Sequence, residues 1–212
     1  MKGHHRALAF ATAVFALPLF SYSQDATTQD SMQAAHHEAT LMRPASALLV
    51  GNLDAVKDQS GHTVSAKLEG KVSLSDGTEL PRGTVLLGKI TTDDMQQQGT
   101  AKLALRFDQA RLKNGTSVPI RATIVGFYAP AEGQIDEASG VVRNDWTANT
   151  VQLDQLDAAP GIDLHSKISS QNSGVFVSSR KDDVKLKAGS QIQFAIAPGN
   201  NGQTGTTAGG QS

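Results

Sequence analysis

From His62 onward the chain alternates. Val64, Ala66, Leu68, Gly70, Val72 and Leu74 fall on one side of the alternation, and Thr63, Ser65, Lys67, Glu69, Lys71 and Ser73 on the other. Successive side chains of a strand point to opposite faces, so period two predicts a strand with one face buried and one wet. Asp76-Gly77 then turns the chain, Pro81-Arg82-Gly83 turns it again, and Val85 to Thr91 predicts the next strand. Asp93 to Gly99 reads as a polar tip. Beyond it Ala101, Leu103, Leu105 and Phe107 alternate with Lys102, Ala104, Arg106 and Asp108. Asn114-Gly115 is the strongest hairpin signal, and Val118, Ile120, Ala122, Ile124 and Gly126 predict the inner face of its second arm. Two later strands are predicted at Val175-Phe176-Val177 and at Ile192, Phe194 and Ile196, around a turn at Gly189-Ser190. The pattern buries Leu68, Val72, Leu87, Leu103, Leu105, Phe107, Ile120, Ile124 and Phe194. It leaves Lys67, Glu69, Lys102 and Arg106 wet.

One unit occurs twice. Leu74-Ser-Asp76-Gly77-Thr78-Glu-Leu80-Pro81 recurs as Leu112-Lys-Asn114-Gly115-Thr116-Ser-Val118-Pro119, and each copy reaches a glycine, Gly88 or Gly126. Matched residues lie 38 positions apart without a gap, over 15 positions. The shared unit is turn chemistry between apolar alternations, which predicts strand, Asx-Gly turn, strand in each copy. Gly70, Gly88 and Gly126 read as bulges or bends that let a small barrel close.

Outside these strands the rhythm fails. Residues 1–23 read as a signal peptide: Lys2 and Arg6 precede an apolar run from Ala7 to Phe20, followed by Ser21-Tyr22-Ser23. That run holds 14 residues, against the roughly 20 that a spanning helix needs. Residues 24–44 read as a flexible leader and 45–198 as one β-domain. Residues 129–173 read as an irregular insertion with a short helix near Thr150 to Leu156, and 199–212 as a disordered tail. The predicted class is all-β: a small, partly open β-barrel or a sandwich of antiparallel hairpins.

Composition narrows the address. The chain has no cysteine, which excludes a lipoprotein anchor and fits a bacterial periplasm or exterior better than a disulfide-rich secreted domain. Asn114-Gly115-Thr116 is then a turn rather than a glycan acceptor. After cleavage 17 basic residues face 20 acidic ones. Without a basic cluster there is no footprint for nucleic acid. The outward strand positions carry Lys67, Glu69, Lys71, Lys102 and Arg106 rather than an apolar band, which argues against an outer-membrane barrel. After cleavage no membrane-spanning segment is expected.

Candidate chemistry is sparse. His36-His37, with Glu38, His62 or His165 as further ligands, resembles metal binding. Adjacent side chains diverge, however, and structural zinc needs four placed ligands. Asp93-Asp94 and Asp182-Asp183 lack the alternating oxygens and closing glutamate of a calcium loop. No Gly-x-Ser-x-Gly elbow or phosphate-cradling glycine loop occurs. The expectation is no catalytic, cofactor-binding or metal residue, no cofactor and no enzymatic activity.

The run Val64 to Leu68, then Leu80-Pro81-Arg-Gly83 through Gly88 to Ile90, then Ala104 to Asp108, then Asn114-Gly115, resembles a group of uncharacterised exported β-proteins of soil bacteria. More distantly it resembles the C-terminal β-barrel of the VirB10/TrbI family of type IV secretion and conjugation scaffolds. The resemblance spans about Ala45 to Tyr128, with an echo from Gly174 to Pro198. It implies a partly open barrel without catalysis that assembles with envelope proteins. The family's transmembrane helix and proline-rich linker have no counterpart here, so the resemblance implies an accessory rather than the channel scaffold itself. The leading expectation is a non-enzymatic exported scaffold or binding module of the bacterial cell envelope, contacting an envelope protein or polymer. A secretion accessory is the second expectation. A hydrolase of envelope polymers, with its site in residues 129–173, is the third. Intact-mass measurement of protein from the native envelope is expected to show residues 1–23 missing; a species that still begins at Met1 would refute export.

Overall fold

The computed structural model describes residues 41–130, 152–178 and 183–199. The signal, most of the leader, residues 131–151 of the expected insertion with Thr150 at the start of its expected helix, the tail beyond Gly199, His36-His37-Glu38 and Asp182 lie outside them. The described part is all-β. In chain order β1 is Arg43–Leu49, β2 Leu53–Asp54, β3 Thr63–Leu68, β4 Val72–Ser73, β5 Glu79–Leu80, β6 Val85–Thr91 and β7 Ala101–Arg111. Then follow β8 Ser117–Tyr128, β9 Gln152–Ala159, β10 Ile162–Lys167, β11 Gly174–Ser178, β12 Lys185–Leu186 and β13 Gln191–Pro198. Arg43 and Pro44, expected in the leader, already belong to β1, which pairs along β13.

Six strands run in the order β6-β3-β1-β13-β8-β7, and β7 pairs back to β6. The barrel expected to be partly open is therefore closed. Its interior is filled by the side chains that the alternation selected. Ala47, Ala66, Leu105, Ile124, Ile192 and Phe194 are fully buried. Phe107 and Phe194 meet edge to face at its centre, with ring centroids 5.1 Å apart.

Two bulges make closure possible, and both involve the glycines of the repeat. Along β6 and β7, Leu87 faces Gln109 but Gly88 faces Phe107, which leaves Asp108 as an extra residue. Along β13 and β8, Gln193 faces Gly126 but Phe194 faces Ile124, which leaves Val125 extra. A bulge bends its strand and sharpens the twist. It also changes parity, so Phe107 and Ala110 are both buried despite their odd spacing. Gly70 differs: it lies between β3 and β4, with open space where a side chain would stand.

The repeat is real at its turns. Gly77 N–H donates to Leu74 O at 3.1 Å and Gly115 N–H to Leu112 O at 3.0 Å. Leu74 N–H reaches Thr78 O at 2.8 Å and Leu112 N–H reaches Thr116 O at 2.9 Å. Asp76 and Asn114 each accept from the amide two residues on, at 2.9 and 3.0 Å. Only the glycines are left-handed, at φ 86° and 87°, so each is the three-residue hairpin loop rather than the two-residue one. Beyond the proline the copies part. Pro81 opens a second turn through Gly83, at φ 84°, whereas Pro119 continues in β8 opposite Gln109. That second turn sets the register of β6. Leu86 pairs with Ala66 and is buried, and Leu87, expected inside, is only half-buried.

Residues 152–173 correct the reading of an irregular insertion with a helix. They form a β9–β10 hairpin around Pro160-Gly161 and lead into β11, an antiparallel meander. Period two fails in β9 because Asp157 is left-handed, at φ 49°, and the ladder shifts register between Ile162 and Leu164. Leu156 is left 73% exposed. β10 does alternate, with Ile162, Leu164, Ser166 and Ile168 inward.

The meander enters through a fork. β7 pairs with β8 only at Gln109–Arg111; beyond that the two separate, and β11 takes the place of β8 against Ala101–Leu105. Ser173 bridges the opening. Its N–H donates to Leu105 O at 2.7 Å, its carbonyl accepts from Ile124 N–H at 2.7 Å, and its hydroxyl accepts from Phe107 N–H at 2.8 Å. Further along, the Gln155 amide accepts from Phe127 N–H at 2.8 Å and donates to Phe127 O at 2.9 Å. The side chain thus imitates a neighbouring strand. Phe127 and Phe176 pack edge to face, 5.0 Å apart, between β8 and β11.

The two repeat glycines should differ in tolerance. A methyl at Gly88 would lie 2.3 Å from Arg106 O, whereas at Gly126 the nearest atom is the Gln193 Cβ at 3.3 Å. Thermal melts are expected to show Gly88→Ala costing about 1–3 kcal/mol and Gly126→Ala clearly less. Leu105→Ala should cost about 2–5 kcal/mol. Equal, mild effects at both glycines would contradict the bulge geometry.

Candidate functional site

The polar tip after β6 is folded down rather than free. Asp93 accepts from Met95 N–H at 3.0 Å and Gln97 N–H at 2.7 Å, and Lys102 Nζ lies 3.3 Å from it. Met95 packs on Ala104, Val175 and Val177, the outer face of β7 and β11. Asp94 points the other way. It accepts from Ser170 Oγ at 2.8 Å and from Gln171 N–H at 2.8 Å, which ties the tip to the β10–β11 connection. Buried Asn172 completes the tie. It accepts from Asp94 N–H at 2.8 Å and donates to Thr91 Oγ1 at 2.7 Å and Thr92 O at 3.1 Å.

Between the tip and the β9–β10 hairpin lies a cleft of about 380 Å³, lined by Asp94, Gln97, Asp154, His165, Lys167 and Ser170 among others. His165 and Asp154 are direct cross-strand partners, and His165 Nδ1 lies 2.7 Å from Asp154 Oδ1. A carboxylate only accepts, so the proton of a neutral imidazole sits on Nδ1 and Nε2 keeps its lone pair. The cleft offers an oriented imidazole, one ammonium and several hydrogen-bonding groups. Its lining suits a small polar ligand held by hydrogen bonds.

A second region lies where β12 and the turn before β3 meet the chain after β8. Two cavities of about 500 and 740 Å³ share Pro130, Lys185 and Lys187 in their walls, over an apolar floor that includes Phe127, Ile162, Leu53 and Leu186. The Lys185 ammonium is held above the usual lysine range, first by its hydrogen bond to Asp183 and then by that carboxylate's charge. Burial pushes the Tyr128 hydroxyl up.

The residues singled out in the sequence are not brought together. His62 lies 3.9 Å from Asp58 and His165 sits on β10. Among the described residues no group of three histidine, cysteine or acidic side chains could hold a metal ion. Asp93 and Asp94 are used to fasten loops. His165, Asp154, Ser170 and Asn172 escaped notice as a group because 93–97 and 154–172 are joined only through the fold. The polar alternation of Asp163, His165 and Lys167 against Ile162, Leu164 and Ile168 was the signal available. Asn172→Ala removes three hydrogen bonds around a buried site and leaves Asp94 N–H without its acceptor. It is expected to cost about 1–3 kcal/mol in thermal unfolding and to speed amide exchange across residues 92–97.

Neither a protein-family model nor a curated protein matches the chain. Among solved structures, ComB10 of the Com type IV secretion system of Helicobacter pylori is similar at 11% identity and a TM-score of 0.35. The match covers 74% of this chain and 85% of that one.

Proposed function

We propose that this chain is an exported, non-enzymatic β-barrel module of the bacterial cell envelope that works through its outer surface. The observation that carries this reading is the filled interior. Phe107, Phe194, Leu105 and Ile124 are all buried in one core cluster inside the barrel, which supports contact through the outer surface. The cavities described above open on the outside of the described residues. In the polar cleft, Asp94 and Ser170 are committed to holding two loops together, which fits recognition by a fixed surface better than chemistry. Export is supported by the order of charge, apolar run and small residues at the N-terminus. An envelope protein or polymer is the partner this address supplies.

A secretion- or conjugation-like accessory is the second reading. The motif-bearing strands β3, β6 and β7 lie side by side in the barrel, and the resemblance of their motifs to the VirB10/TrbI barrel is what supports this reading. The mature protein is expected to remain with envelope fractions, and the pair His165→Ala and Lys167→Glu to reduce that retention by about tenfold with little change in melting temperature. Unchanged retention would remove the cleft from the reading. Recovery of secretion-apparatus subunits with the wild type would favour the second reading. Release of labelled fragments from peptidoglycan or polysaccharide, lost in His165→Ala, would replace both with a hydrolase.

A further inference from the structure

The two repeat turns form a controlled comparison. They share every main-chain hydrogen bond and the left-handed glycine, yet one carries Asp76 and the other Asn114. Asn-Gly is the sequence in which an asparagine is most open to attack by the next main-chain nitrogen, because glycine has no side chain to hinder the approach. The Gly115 nitrogen bonds to Asn114 Cγ, the Cγ–Nδ2 bond breaks, and ammonia leaves with the proton that the nitrogen gives up. Water then opens the five-membered imide at either carbonyl, giving aspartate or isoaspartate.

We propose that Asn114 is a deamidation site at which the folded turn slows imide formation, accepts the aspartyl product and rejects the isoaspartyl one. Asn114 and Gly115 are exposed, so water reaches them. The attacking nitrogen is engaged, since Gly115 N–H donates to Leu112 O at 3.0 Å. The target is engaged too, since Asn114 Oδ1 accepts from Thr116 N–H at 3.0 Å. The first bond must open before the nitrogen can attack, and the second holds the side chain in its turn conformation. The aspartyl product is already represented in the chain: Asp76 makes the same bond to Thr78 N–H at 2.9 Å. Isoaspartate adds a methylene to the main chain between residues 114 and 115. That lengthens the loop closed by Leu112 and Thr116 and throws the start of β8 out of register. Each event also exchanges a neutral amide for a carboxylate at the β7–β8 end of the barrel.

The test incubates the full exported chain at mildly alkaline pH, folded and in denaturing urea, and follows the peptide containing Asn114 by mass and by chromatographic separation of its two acidic products. Conversion is expected to be on the order of tenfold slower in the folded protein, the factor given by about 1.4 kcal/mol of barrier. The aspartate share should be higher there than in urea. Asn114→Asp should melt within about 2 °C of the parent, and Gly115→Ala well below it, because alanine is strained at positive φ. Equal rates and product ratios in the two states would overturn the protective role of the turn. Asn114→Asp melting as low as Gly115→Ala would overturn acceptance of the product.

Discussion

The edge of β8 beyond the fork is the constraint on which the structure turns. A strand that leaves its partner exposes a row of amides and carbonyls, and buried ones must find other partners. Here β7 pairs with β6 on one side from Ala104 to Arg111 and exchanges β8 for β11 on the other. The freed groups of β8 are met by Ser173 at Ile124 and by Gln155 at Phe127. Ser173 is the hinge of this arrangement because it serves both strands at once, with main-chain and side-chain atoms of one residue.

Closure of the barrel follows from local bends placed opposite one another. The extra residues Asp108 and Val125 sit in the two long strands, and Gly88 and Gly126 face or adjoin them. Where the backbones come closest, at Gly88 and Arg106, a side chain would collide with a carbonyl. The parity change at each bulge keeps large side chains pointing inward on both sides of the bend. This is how one barrel contains Phe107, Ala110, Ile124 and Phe127 without turning any of them to solvent.

The cleft is a by-product of the same fork. Because β11 lies on the outer half of β7, the connection before it passes beneath the tip that follows β6, and Asp94, Ser170 and Asn172 fasten the two. The cross-strand pair of His165 and Asp154 then lines a cleft with this tie on its other side, half open to solvent. A cleft with this origin is stiff, since moving one wall means breaking hydrogen bonds shared with the buried Asn172.

The alternation is legible in β3, and in β7, β8 and β13 only in part, because the bulges at Asp108 and Val125 change parity and some outer positions are buried as well. The Asx-Gly turns were legible because only glycine adopts their last position freely. Leu87 was misplaced because the register of β6 is set by the Gly83 turn and its pairing with β3, which no local pattern reports. β9 does not read as a strand in the sequence because Asp157 breaks its alternation and Leu156 points to solvent. Tertiary structure alone decided that the barrel closes, that Asp93 and Asp94 fasten loops, and that His165 meets Asp154 in a cleft. Those outcomes depend on pairings between residues as far apart in the chain as Arg43 and Ile196. Periodicity records which face of a strand is buried; it carries no information about which distant strand will supply the missing partner.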